Sequence, residues 1–265
     1  MKIRSILKLT ILPFLLFAFN NCSSVKEVQS LPNNNEVIID GLKNDWEGKL
    51  SFDSKAKIAV GFKNDGENLY ICVTTNDRTN MMKILRLGMT IWLEPESGNK
   101  KIGIKYPIVD MERMRDLPFG QENLSNENPE ERFSKLIANQ KKLSIVNEDD
   151  YPLFLLSSND ENNFYAKLGL TRESFVYELK VPLSTNSRAK YFIEAKPSEK
   201  ISIGIETNEF KLEAPGGRSG VGMQPGGGRP SGGGSRSGRM PGGGRNQEMN
   251  FEQIKLLFDV KLAGG

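Results

Sequence analysis

The sequence predicts a mostly β protein: an antiparallel, jelly-roll-like β-sandwich with one short accessory helix and a disordered Gly/Arg-rich loop. Three observations predict it. Short runs that alternate apolar and polar residues recur along the chain, among them KIAVGF (57–62), NLYICVTT (68–75) and MTIWLE (89–94). Period-two alternation marks strands with one buried face. Compact polar breaks separate the runs, and Asn64-Asp65-Gly66-Glu67 carries the Asp-Gly of a hairpin turn. Between residues 214 and 248 the composition turns to Gly, Arg, Ser, Pro and Met, which cannot bury enough apolar surface to offset the entropy of ordering.

In order along the chain, Lys2, Arg4 and Lys8 precede an apolar run from Leu9 to Phe19 that Thr10 and Pro13 interrupt. The run is too short and broken for a membrane span. It ends at Asn20-Asn21-Cys22. A cysteine at the close of such a segment resembles a bacterial lipoprotein signal, whose cysteine receives a diacylglycerol and becomes the new N-terminus. The usual box has Leu three positions before the cysteine and Gly or Ala just before it, where this chain has Phe19 and Asn21. The resemblance implies a signal over 1–21, lipidation of Cys22, and a place at the cell envelope, in the outer membrane of a Gram-negative bacterium. Residues 22–35 are polar without apolar period and read as a flexible tether.

The whole chain has 36 Lys+Arg and 33 Asp+Glu. Residues 1–21 hold three of the basic groups and no acidic one, so the rest stands at 33 against 33. Near-neutral charge gives no argument for a nucleic-acid partner. With Cys22 acylated, Cys72 has no cysteine to pair with. It sits in an alternating strand and reads as a small buried hydrophobe.

In 68–75, Leu69, Ile71 and Val73 share one face, and Tyr70, Cys72 and Thr74 the other. Residues 81–87 fit either a helical turn or a strand. The strand at 89–94 stops at Pro95, and KIGIKY (101–106) follows a polar turn. Asn128-Pro129-Glu130-Glu131 begins the accessory helix: Asn caps, Pro suits the first turn, and acids suit its positive end. Phe133, Leu136 and Ile137 then form one apolar stripe, for a helix over 129–141. Strands resume at 143–146, 153–156, 164–170, 175–181 and 201–207. Phe251 to Leu262 completes the sheet, so the Gly/Arg tract 214–248 is an insertion within a single domain, 36–265.

Three segments point to a family. VIIDGLKNDWEG (37–48) runs a strand into a turn closed by Asp45-Trp46. MTIWLEP (89–95) ends in Glu94-Pro95, and SFVYELKVPL (174–183) ends in a proline and an apolar residue. Their order resembles family 9 carbohydrate-binding modules and their dopamine-monooxygenase-like (DOMON) relatives. The resemblance implies a β-sandwich that binds carbohydrate and is not an enzyme. The alternative is a structural or assembly lipoprotein that docks a protein partner at the envelope.

The chain has no histidine. That removes Ser-His-Asp and Cys-His machinery, histidine zinc and copper sites, and the His-Met haem pair of DOMON domains. No cofactor is expected. Asp40, Asp45, Asp65 and Asp77 lie in early turns, where oxygen ligands could hold calcium, although no EF-hand-like spacing is present and such residues more often bond their own backbone. The triplet Glu148-Asp149-Asp150 reads as a solvated loop. Trp46, in the Asp-Trp turn, and Trp92, in mid-strand, read as structural. A sugar platform is sought among Tyr106, Phe119 and Tyr151 as exposed aromatics. Arg218, Arg229, Arg236, Arg239 and Arg245 read as a solvated spacer or as contacts to an anionic envelope component.

Overall fold

Alternation along the strands sorts their side chains onto two stacked sheets. The computed structural model describes residues 25–33, 37–97, 100–108, 129–160, 162–171, 174–184, 189–208 and 252–264. In chain order the first strands are β1 (Lys26–Gln29), β2 (Leu31–Pro32), β3 (Ser51–Asp53), β4 (Ile58–Asn64) and β5 (Asn68–Thr75). Then come β6 (Met89–Pro95), β7 (Ile102–Lys105), β8 (Lys142–Asn147) and β9 (Pro152–Ser157). The last are β10 (Tyr165–Leu170), β11 (Phe175–Pro182), β12 (Lys200–Thr207) and β13 (Lys255–Lys261).

One sheet has seven strands in the order β1-β13-β12-β6-β7-β8-β9. The other has six, β10-β11-β5-β4-β2 with β3 also on β4. Every pairing is antiparallel except β1 on β13 and β2 on β4. The inner faces meet in one core. Ile58, Val60, Ile71 and Leu179 of the smaller sheet face Ile91, Ile104, Ile203 and Val260 of the larger. Phe62 meets Phe258 across the gap, edge to face, with centroids 5.2 Å apart. Each such side chain contributes about 1.5–3 kcal/mol on burial.

The stretch 22–35 is not all tether, which corrects the reading of its composition. Lys26–Gln29 and Leu31–Pro32 are β1 and β2, on the outer strands of the two sheets. Runs this short are held by their partners and not by their own pattern. A cluster of side-chain bonds fixes them. Ala263 donates its backbone N–H to Asn64 Oδ1 at 2.8 Å and Ser30 Oγ at 2.9 Å, and Ser30 Oγ also bonds Asn64 Oδ1.

Among the described residues there are two α-helices where the sequence suggested one. Helix α1 (Arg78–Leu87) settles the ambiguous segment. Asp77 caps it, accepting from Thr79 N at 2.9 Å and Asn80 N at 3.1 Å. Met81, Ile84 and Leu85 enter the core, and Gly88 ends it at φ +75°. Helix α2 (Pro129–Ala138) lies near its expected place and packs Phe133 and Ile137 against the core. Strand β13 supplies the predicted C-terminal element. The Gly/Arg tract 214–248 lies outside the described residues.

The smaller sheet is buried on its outer face as well. Residues 37–50 fold over it, and Val37, Ile39 and Trp46 form a second cluster with Tyr70, Cys72 and Val176. Trp46 is fully buried in the 3-10 turn Asn44–Trp46. Its ring rests on Gly61, where a Cβ would lie 2.9 Å from the indole. Beneath the turn lies Glu178, wholly buried on β11. Its carboxylate accepts from Asp40 N at 3.0 Å, Gly41 N at 2.7 Å and Trp46 Nε1 at 2.8 Å. Burial pushes this carboxyl up to about 7, although the indole and Gly41 bonds pull the other way. Gly41, at φ +80°, lets the turn press on β10: a Cβ on Gly169 would stand 1.8 Å from the Gly41 carbonyl.

Candidate functional site

Strand β6 alternates cleanly. Met89, Ile91 and Leu93 enter the core, so Thr90, Trp92 and Glu94 face outward from the larger sheet. Trp92 has a glycine beside it on each neighbouring strand, Gly204 on β12 and Gly103 on β7. The indole uses that space. A Cβ on Gly103 would come within 2.8 Å of its Cζ3. One on Gly204 would lie 3.4 Å from Trp92 Cβ and 3.5 Å from Cδ1. The indole therefore reaches from the Gly204 side of its strand to the Gly103 side, over the space that two side chains would otherwise fill. Trp92 remains partly exposed.

Polar groups ring this platform. Trp92 Nε1 donates to Glu206 Oε1 at 2.7 Å, which fixes the ring's rotation in the plane of the sheet. Lys101 Nζ stands 5.1 Å from the ring centroid, a cation over the π face. Lys105 Nζ bonds both oxygens of Asp150, at 3.0 and 2.9 Å. On β12, Ser202 Oγ donates to Asp259 Oδ1 at 2.7 Å. An aromatic surface bordered by carboxylate acceptors and ammonium groups can hold a molecule that is apolar on one face and hydroxylated at its rim.

The three aromatics expected to be exposed part ways. Tyr106 is a correction: it is 2% exposed, its hydroxyl donates to the Gln140 carbonyl at 3.0 Å, and its ring meets Tyr177 at 5.8 Å. Burial raises its hydroxyl to about 12. It is core and offers no platform. Phe119 lies outside the described residues. Tyr151 is 69% exposed at the start of β9, three strands from Trp92, or about 14 Å. Trp92, read as structural, is a partly exposed aromatic on the outer side of the larger sheet. Cys22 and the five arginines of the glycine tract lie outside the described residues.

The early aspartates act on local backbone. Asp40 accepts from Leu42 N, Asp45 from Ile38 N, Asp65 from Glu67 N and Asn68 N, and Asp77 caps α1. Among the described residues, no cluster of three or more acidic or cysteine side chains is placed to hold a metal. In the acidic triplet, Asp150 pairs with Lys105 while Glu148 and Asp149 are exposed.

No family model matches the chain, and no curated protein matches it. Among solved structures, its fold is similar to two family 9 carbohydrate-binding modules from Caldicellulosiruptor kristjanssonii. The module in complex with glucose is 14% identical at a TM-score of 0.33, over 69% of this chain and 78% of that one. The module in complex with cellotriose is 12% identical at a TM-score of 0.39, over 91% and 95%.

Proposed function

We propose that this protein is a non-catalytic envelope lipoprotein that binds carbohydrate, a polysaccharide or glycan, on the Trp92 face of its larger sheet. The observation that carries the reading is an indole on the outer side of the sheet that fills the space left by Gly103 and Gly204 and stays partly exposed. A pyranose presents C–H groups on one face and hydroxyls around its edge. The C–H face stacks on the indole, and the edge meets Glu206 and the lysines. Lys101 yields the space above the ring and turns its ammonium to a hydroxyl. The sequence resemblance over 37–95 and 174–183 supports the same class of ligand.

The test is a glycan array with the Cys22→Ser full chain, followed by titration of the strongest sugar. Trp92→Ala should weaken binding at least about tenfold, or about 1.4 kcal/mol. The melting temperature should fall by only a few degrees, because the ring lies on the outer face of the sheet and not in the core between the sheets. No retention on any glycan, or equal affinity in Trp92→Ala, overturns the reading. Silence on the array together with a co-purifying envelope protein favours the docking alternative.

The envelope address rests on the basic start, the short apolar run and Cys22. Cys22→Ser should move the protein from the detergent phase to the aqueous phase in a phase-partition experiment. Wild-type protein that already partitions into water and carries no acyl mass rules out the anchor.

A further inference from the structure

Residues 152–157 read PLFLLS, with no charge among them, and they form β9, the last strand of the larger sheet. Among the described residues only β8 pairs with it. Leu153, Phe154 and Leu155 are 48%, 45% and 59% exposed. Consecutive residues point to opposite faces, so both sides of the strand are apolar and open. Phe154 leans on Tyr191, with centroids 4.7 Å apart. Edges that remain unpaired are blocked by charge, proline or a bulge. Here Pro152 and the register shift at Ile145/Val146 lie at the start of the strand. The shift leaves Leu153 without a partner on β8, and among the described residues nothing blocks 154–157.

Charge indicates which strand is added. The hairpin of β8 and β9 is polarised along its length. Its turn carries Glu148, Asp149 and Asp150, all exposed. At its open end Lys142 pairs with Ser157 across the ladder, with exposed Lys141 beside it. Lys190 lies near that end, its Nζ 5.3 Å from the Tyr191 ring centroid. Of the acids beyond that end, Asp160 is engaged with Asn162 N and Asn163 Nδ2, and Glu161 lies outside the described residues. The two ends lie about 20 Å apart along the strand, well beyond the screening length of about 8 Å at physiological salt. Each therefore acts as a separate charge.

We propose that β9 pairs antiparallel with β9 of a second copy across a twofold axis. That operation sets residue 153 of one copy near 157 of the other. It brings the acidic turn of each copy to the lysine end of its partner, twice over. It covers Leu153, Phe154 and Leu155 and satisfies the open backbone groups of both edges in one continuous sheet. A parallel pairing would instead set acid against acid and base against base.

Sedimentation velocity of the Cys22→Ser full chain, from about 1 to 100 µM in physiological salt, should show a dimer growing with concentration. Leu155→Lys should leave a monomer throughout with an unchanged melting temperature, because the side chain it replaces is exposed. Glu148→Lys with Asp149→Lys should weaken the dimer about tenfold, and Lys141→Glu with Lys142→Glu likewise. All four together should restore it to within about threefold. Restoration supports the antiparallel self-pair. A wild type monomeric at every concentration overturns it, and so does a dimer indifferent to Leu155→Lys or a four-fold variant no better than either pair. An edge that instead binds a different envelope protein, with the chain monomeric, assigns β9 to another partner and also overturns it.

Discussion

Glu178→Leu should destabilise the protein by about 3–5 kcal/mol. The substitution is close in volume and apolar, so packing alone predicts little loss. The cost comes from the donors left behind. Asp40 N, Gly41 N and Trp46 Nε1 all point at this carboxylate, and each buried donor without an acceptor costs about 1–3 kcal/mol. Glu178→Gln is no remedy, since its amide nitrogen would face at least one of the same N–H groups. Trp46→Ala should cost about 3–5 kcal/mol by loss of the buried ring. The double variant should cost less than the sum, because both changes release the same turn. Additive losses would show that the turn does not depend on Glu178.

Glu178 also gives the stability a pH dependence whose sign is fixed. Its carboxyl rises from 4.5 to about 7 on folding, so the folded state holds the proton more tightly than the unfolded chain. The contribution is complete below about 4.5, is lost as pH rises to about 7, and is constant above. The full change is about 3 kcal/mol. Denaturant midpoints measured from pH 4.5 to 8 should show this slope in the wild type and lack it in Glu178→Leu. The same slope in both proteins would assign the titration to another group.

The second large effect is at the C-terminal strand. Truncation after Ala214 should leave the protein unfolded. Strand β13 is the partner of both β1 and β12 and places Leu256, Phe258, Val260 and Leu262 in the core. At about 1.5–3 kcal/mol each, these four side chains are worth about 6–12 kcal/mol, as much as the whole stability of an ordinary domain. Replacing 216–245 with a short Gly-Ser linker should change stability by only about 1 kcal/mol, since closure entropy varies with the logarithm of loop length. Circular dichroism and calorimetry on the two chains separate the cases. A truncated chain that melts cooperatively like the full one would show that the sandwich closes without β13.

What was legible in the sequence is what lies close along the chain. The alternation of 68–75 gave both faces of β5 correctly. The helix start at Pro129 and the isolated Phe251–Leu262 run were visible because their signals are local. Trp46 could be read as architectural from its turn, but its partner Glu178 lies 132 positions away. Glu178 falls on the outward parity of β11, where a carboxylate ordinarily faces water. Nothing local says that residues 37–50 cover it. Tyr106 was misplaced although a signal existed: it continues the inward parity of Ile102 and Ile104. The Trp92 platform needs the register of three strands, since Gly103 and Gly204 become neighbours only when β7 and β12 flank β6. The run PLFLLS was legible as a strand, whereas its edge position depends on the order of the whole sheet.

The parallel pairing of β1 with β13 has a mechanical consequence. The chain enters β1 at Lys26, so tension from the N-terminal side draws that strand lengthwise along β13, whose residues 258–261 pair with 26–29 in register. Parallel pairs loaded along their axis share the force among all their hydrogen bonds, whereas hairpins pulled open at one end release them in succession. The Ser30, Asn64 and Ala263 cluster lies just past the far end of β1 and acts as a catch, because Ser30 cannot slide without breaking its bonds to both other residues. A domain held this way yields in shear when pulled from its N-terminus.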